Sequence, residues 1–199
     1  MYVFSIHEGK IAVTVARRVI ESIAKKEDPG EIDIPKTLKK PGGVFTTISK
    51  YPIGDLRGCI GYSEPIMSII NAIISSAKSA ATNDPRFPPV KPGELDHLTI
   101  SVSLLTKPVP LIYDNARELP RLVKVGEHGL IIKKGNLTGL LLPQVPMEFG
   151  WNSVAFLTQT CLKAGLSGNA WKDKETKVYT FTAEVFEEMM PRGKVMRKE

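Results

Sequence analysis

The chain has 199 residues, with 27 Lys and Arg against 21 Asp and Glu for a formal charge of +6, and 42% of its residues are hydrophobic and 24% charged. That composition excludes a disordered polymer, which carries less apolar material and a more lopsided charge. The length suits one large domain or two small ones, held together without a metal or disulfide staple.

Read in chain order, Ile11, Val15, Ala16, Val19, Ile20 and Ile23 recur at helical spacing and predict a helix over 10–27. Arg17, Arg18, Lys25 and Lys26 are assigned to its outer face, and Asp28-Pro29-Gly30 ends it. A polar loop follows over 31–43. The β-branched stretch 44–50 and the stretch 56–62 predict two strands joined by the turn Pro52-Ile53-Gly54-Asp55. Ile66, Ile69, Ile70, Ile73, Ala77 and Ala80 form the buried stripe of a second helix, stopped by Asn83-Asp84-Pro85.

The segment 99–106 alternates Ile100, Val102 and Leu104 with Ser101 and Ser103, the pattern of a half-buried strand. Prolines interrupt 107–126, leaving room for a short helix starting at Asp114 or Asn115. Strands over 128–134 and 137–142 flank Gly135-Asn136, a two-residue hairpin turn of the II′ kind. Asn152 or Ser153 caps a helix that runs to Ala164 and stops at Gly165. The segment 178–186 reads as the last strand, and the basic tail from Pro191 as a frayed end. Separate hairpins and helices, without a repeating βαβ unit, indicate an α+β fold.

Gly54-Asp55-Leu56-Arg57-Gly58-Cys59-Ile60-Gly61 is the densest unusual stretch. On an unbroken strand Asp55, Arg57 and Cys59 share one face, which sets a guanidinium beside a thiol and favours the nucleophilic thiolate. Gly58 and Gly61 remove side chains and let a ligand or another backbone approach. The alternative is structural: Asp55 neutralises Arg57, and Cys59 is a small apolar strand residue.

Leu56-Arg57-Gly58-Cys59-Ile60-Gly61 resembles the signature hexapeptide of the AMMECR domain family. Asp84-Pro85-Arg86-Phe87-Pro88-Pro89, Gly126-Glu127-His128-Gly129-Leu130, Leu142-Pro143-Gln144-Val145 and Cys161-Leu162-Lys163-Ala164-Gly165-Leu166 match in order, so the resemblance spans nearly the whole chain. It implies a larger domain with an antiparallel sheet flanked by helices and containing both termini (1–108 and 175–199), and a smaller inserted α+β domain (109–174). It also implies a hexapeptide near the domain junction, no established activity, and a functional association with Memo-type and radical-SAM proteins in a modification pathway.

Two functions follow as expectations. One is a thiol-dependent enzyme, or enzyme component, of unknown reaction. It uses Cys59 in an interdomain cleft with His128 as base, and Leu56, Arg57, Gly58, Ile60, Gly61 and Arg86 around the substrate. The other is a non-catalytic adaptor whose hexapeptide groove binds a peptide or protein partner. Arg86 either presents a guanidinium to an anion from a proline-stiffened loop or pairs with Asp84. Cys161 reads as packing. No metal-ligand spacing or phosphate loop occurs, so no metal and no cofactor are expected. Basic residues scattered among acidic ones disfavour nucleic acid as a partner. No secretory leader or membrane span is expected either, and two free cysteines suit the cytoplasm.

Overall fold

A computed structural model describes residues 3–198. In chain order the elements are α1 (Ile6–Lys25), β1 (Val44–Lys50), β2 (Leu56–Tyr62), α2 (Ile69–Thr82), β3 (Leu98–Leu105), β4 (Val109–Pro110), α3 (Leu119–Leu122), β5 (Gly129–Lys134), β6 (Leu137–Leu141), α4 (Val145–Glu148), α5 (Ser153–Lys163), β7 (Lys177–Phe181), β8 (Ala183–Glu188) and β9 (Val195–Arg197). Two compact units result, one of residues up to Leu105 together with those from Glu184, the other of Thr106–Ala183.

The first unit is built on a five-stranded antiparallel sheet in the order β2-β1-β3-β8-β9. Val44 and Ile48 of β1, with Leu98, Ile100, Val102 and Leu104 of β3, turn one face toward α1 and α2 and form a single core with Val13, Ala16, Ile20, Ile73 and Ala77. The hairpin register places Val44 opposite Tyr62 and Thr47 opposite Cys59. Helix α1 starts four residues before the predicted window. Ser5 caps it by accepting the Glu8 N–H, and Glu8 reaches back to the Ser5 N–H at 2.6 Å. This capping box was present in the sequence as Ser-x-x-Glu, upstream of the apolar stripe.

Three expectations are corrected in this unit and at its boundary. Arg17 does not lie on an outer face: it is 5% exposed, and its guanidinium pairs with Glu188 and donates to the carbonyls of Leu95 and Leu98. The single strand predicted over 178–186 is two strands, which break at Thr182 and belong to different sheets. The basic tail is not frayed as far as Lys198. It pairs as β9 along β8, and Arg192 bridges Glu21 and Asp96 while Arg197 pairs with Glu184.

The second unit carries a four-stranded sheet in the order β4-β7-β5-β6. Its own core gathers Leu119, Leu130, Ile132, Phe156, Leu157, Cys161, Trp171 and Val178. Asn152 caps α5 through the Ala155 N–H, and Gly165 takes a left-handed φ of 75° just past its end. Gly135 has a φ of 56°, which suits the first central position of the β5–β6 turn.

Candidate functional site

Strand β2 lies at an edge of its sheet, with β1 its one strand neighbour among the described residues. An edge strand leaves half of its backbone donors and acceptors without a ladder partner. At Cys59 a side-chain pair supplies them. Its N–H donates to Asp84 Oδ2 at 2.8 Å, and its carbonyl accepts from Arg86 Nη2 at 3.2 Å. Arg86 in turn forks onto Asp84, with Nε to Oδ1 at 2.9 Å and Nη2 to Oδ2 at 2.7 Å. Asp84 follows the end of α2, so the helix stop and the proline-rich loop set this clamp beside the strand.

The Asp84 carboxylate is 3% exposed and its pKa is held far below the ordinary range, first by the Arg86 hydrogen bonds and further by the N–H groups of Cys59 and Arg86, against the cost of burial. The Arg86 guanidinium is shifted the other way, upward, mainly by Asp84 and in smaller part by Cys59. Its side chain remains half exposed.

The Cys59 side chain is half-buried and faces away from the helices. Gly58 shows the direction: a Cβ there would sit 2.3 Å from the Ala80 carbonyl oxygen of α2, so the next residue points to the other face. On that face Thr47 lies directly opposite Cys59, and its hydroxyl donates to Cys59 Sγ at 3.3 Å. Ser101 continues the row on β3.

Arg57 does not stand beside the thiol as an unbroken strand would place it. The register slips there, with Ile48 opposite Gly58 and Ser49 opposite Leu56, so Arg57 is the extra residue of a bulge. A bulge re-aims its side chain. Arg57 is buried and forks onto Glu94, with Nε to Oε2 at 2.8 Å and Nη2 to Oε1 at 3.0 Å. The Phe87 ring lies near both guanidinium groups, 5.9 Å from Arg57 and 5.5 Å from Arg86. The cation brought to Cys59 is therefore Arg86.

The rest of the hexapeptide is committed to packing or exposed. Leu56 is exposed, Ile60 packs on the first core, and a Cβ at Gly61 would overlap Phe45 at 2.3 Å. His128 belongs to the second unit, in the turn before β5. Its Nδ1 accepts the Lys124 N–H at 3.2 Å, and burial pushes its pKa below the usual histidine value. In the neutral ring that arrangement leaves the proton on Nε2, which is then a donor. Cys161 is buried in the second core, and burial pushes its thiol pKa up.

Three partners were not singled out from the residues. Thr47 was accessible, because two matched strands at 44–50 and 56–62 put 47 opposite 59. The sequence offers Asp84 as a partner for Arg86 and carries no sign of its bond to the Cys59 N–H. Glu94 carried no local signal, lying 37 residues from Arg57. Among the described residues no group of three or more His, Cys, Asp or Glu could hold a metal ion, and no helix is long and apolar enough to cross a membrane.

The AMMECR1 family description matches residues 13–186. The chain belongs to the AMMECR1 family. It is 50% identical to a protein of Thermococcus gammatolerans over all of this chain and 98% of that one, and 43% identical to a protein of Methanopyrus kandleri over 98% and 95%. The crystal structure of an uncharacterized protein from Pyrococcus horikoshii is similar, with a TM-score of 0.87 and 49% identity over 96% of this chain and 97% of that one. The AMMECR1 match takes in the hexapeptide, the Asp84–Arg86 clamp and His128 alike.

Proposed function

We propose that this AMMECR1-family protein is a thiol-dependent enzyme, or a component of one, in which Cys59 is the nucleophile and Arg86 holds an anionic group of the substrate. The observation that carries this reading is the Thr47 hydroxyl on Cys59 Sγ, with a half-exposed guanidinium bound to the same residue's carbonyl. A hydroxyl donor and a nearby cation complement the negative charge of a thiolate. Arg57 is buried on Glu94, and a Cβ at Gly58 or Gly61 would meet its neighbours. Cys59, by contrast, is half-buried and Arg86, though bonded to Asp84, keeps a half-exposed guanidinium, so these two are the groups a substrate can reach. His128 is not carried forward as the base, because its Nδ1 lone pair is engaged; the S–H proton leaves to solvent in this reading.

The test uses Cys161→Ala as background. Cys59 should alkylate in the folded protein, and the rate ratio of anionic iodoacetate to neutral iodoacetamide should fall about three- to ten-fold in Arg86→Ala. A Cys59 that reacts only after unfolding would overturn the proposal.

A second reading is a binding module, and the structural engagement of most of the hexapeptide favours it. It predicts that Cys59→Ser retains function in a complementation assay, whereas the enzyme reading predicts loss.

A further inference from the structure

In the second unit, a cavity of about 430 Å³ opens where the chain after β4 runs beside the start of β7. That volume lies in the range of small-molecule sites. Its two walls are tied together, because the Tyr113 hydroxyl donates to the Thr176 carbonyl at 3.3 Å. The β7 side is also fixed from behind: Asp173 pairs with Lys134 at 2.6 Å and accepts the Glu175 N–H at 3.0 Å. The site is thus largely formed before any ligand arrives.

The lining has a definite chemistry. Lys174 and Lys177 stand at the cavity with no ion-pair partner among the described residues, and Asp114 is the one acidic group in the lining. Tyr113 and Tyr179 supply aromatic surface. Ile112 is 90% exposed at the same site, a large apolar side chain held in water. Thr176 is 2% exposed, and its Oγ1 is buried without a hydrogen-bond partner. With almost no accessible surface, that hydroxyl is part of the closed wall of the cavity and not a contact open to a ligand.

We propose that this cavity is a binding site for a small aromatic anion, with the acid group at Lys174 and Lys177 and the flat body against Tyr179 and Ile112. Two unpaired cations against one carboxylate select the charge. The tyrosines and Ile112 select a planar apolar body, and the size limits the ligand to one or two fused rings with substituents. This site is independent of the Cys59 reading and lies wholly within the second unit.

The experiment is a backbone amide NMR titration of the whole protein with 2-naphthoate, and with 2-naphthalenemethanol as a neutral probe of the same body. Saturable shifts confined to residues around 110–114 and 174–179 are expected for naphthoate, with a Kd of about 1 mM or tighter. The neutral probe should bind roughly three- to ten-fold more weakly. The double variant Lys174→Ala/Lys177→Ala should erase that preference. Ile112→Glu, at a position exposed enough to leave folding alone, should abolish binding of naphthoate. Equal affinity for the two probes, shifts scattered over the surface, or unchanged naphthoate binding in either variant would overturn the proposal.

Discussion

The Asp84 carboxylate accepts four hydrogen bonds, from the N–H of Cys59 and from the backbone and guanidinium of Arg86. Hydrogen bonds to a charged group are worth more than neutral ones, so Asp84→Asn should cost about 2 kcal/mol at neutral pH, read by urea unfolding. The pH dependence follows from the depressed pKa. The contribution is fully present above the unfolded value of about 3.9 and is lost only as the pH falls through the lower folded value. The gap between wild type and Asp84→Asn should therefore persist at pH 5 and narrow in strong acid. Gly58 makes a different prediction at the same scale. Gly58→Ala drives a methyl into the Ala80 carbonyl and should destabilise by about 1–3 kcal/mol. Gly93→Ala, which meets nothing within 4 Å, should stay within about 0.5 kcal/mol of wild type in the same measurement.

Beyond the apolar face it buries in the first core, helix α1 is held at two further places, the cap and the buried guanidinium. Ser5→Ala removes the acceptor of the Glu8 N–H and should cost about 1 kcal/mol in thermal or chemical unfolding. Arg17→Ala strands Glu188, whose Oε2 also accepts the Ile100 N–H, inside the first unit. Removing one partner of a buried pair costs about 3–5 kcal/mol, whereas Arg18→Ala, one residue along on the exposed side, should change stability by less than about 0.5 kcal/mol. Equal effects of the two substitutions would contradict the buried assignment of Arg17. Both arginines belong to the same basic dipeptide, and helical periodicity alone placed both in solvent. The 3.6-residue repeat locates a stripe of apolar positions, but its border is decided by what packs against it.

At the scale of the molecule, the chain leaves the first sheet after β3, builds the second unit, and returns at β8. The return is completed by β9, whose Arg197 donates to the Phe4 carbonyl and packs over the Phe186 ring at 4.9 Å. A chain ending before Pro191 loses β9, the Arg192 bridges to Glu21 and Asp96, and the Arg197 pair with Glu184. Its melting midpoint, followed by far-UV circular dichroism, should fall by at least about 5 °C. A truncated chain melting at the wild-type temperature would show that these pairs are surface ornaments worth nothing.

Features governed by near neighbours were legible in the amino-acid sequence. The hairpin of β1 and β2, the helix stop at Asn83-Asp84-Pro85, the Gly135-Asn136 turn and the Asn152 cap depend on residues a few positions apart. Their stereochemistry is carried by the side chains themselves. The pairing of Cys59 with Thr47 falls in this class too, because hairpin register follows from strand and turn length. Tertiary structure alone decided the charge partners and the strand assignments. Arg17 is buried because Glu188 lies beside it, 171 positions along the chain. Arg57 turns from the thiol because a bulge and Glu94 claim it. The stretch 178–186 reads as one strand, with Tyr179, Phe181, Ala183 and Val185 at every second position, yet β7 and β8 belong to different sheets. Alternation records which side of a strand is buried, and no local pattern records the strand or counter-charge that buries it.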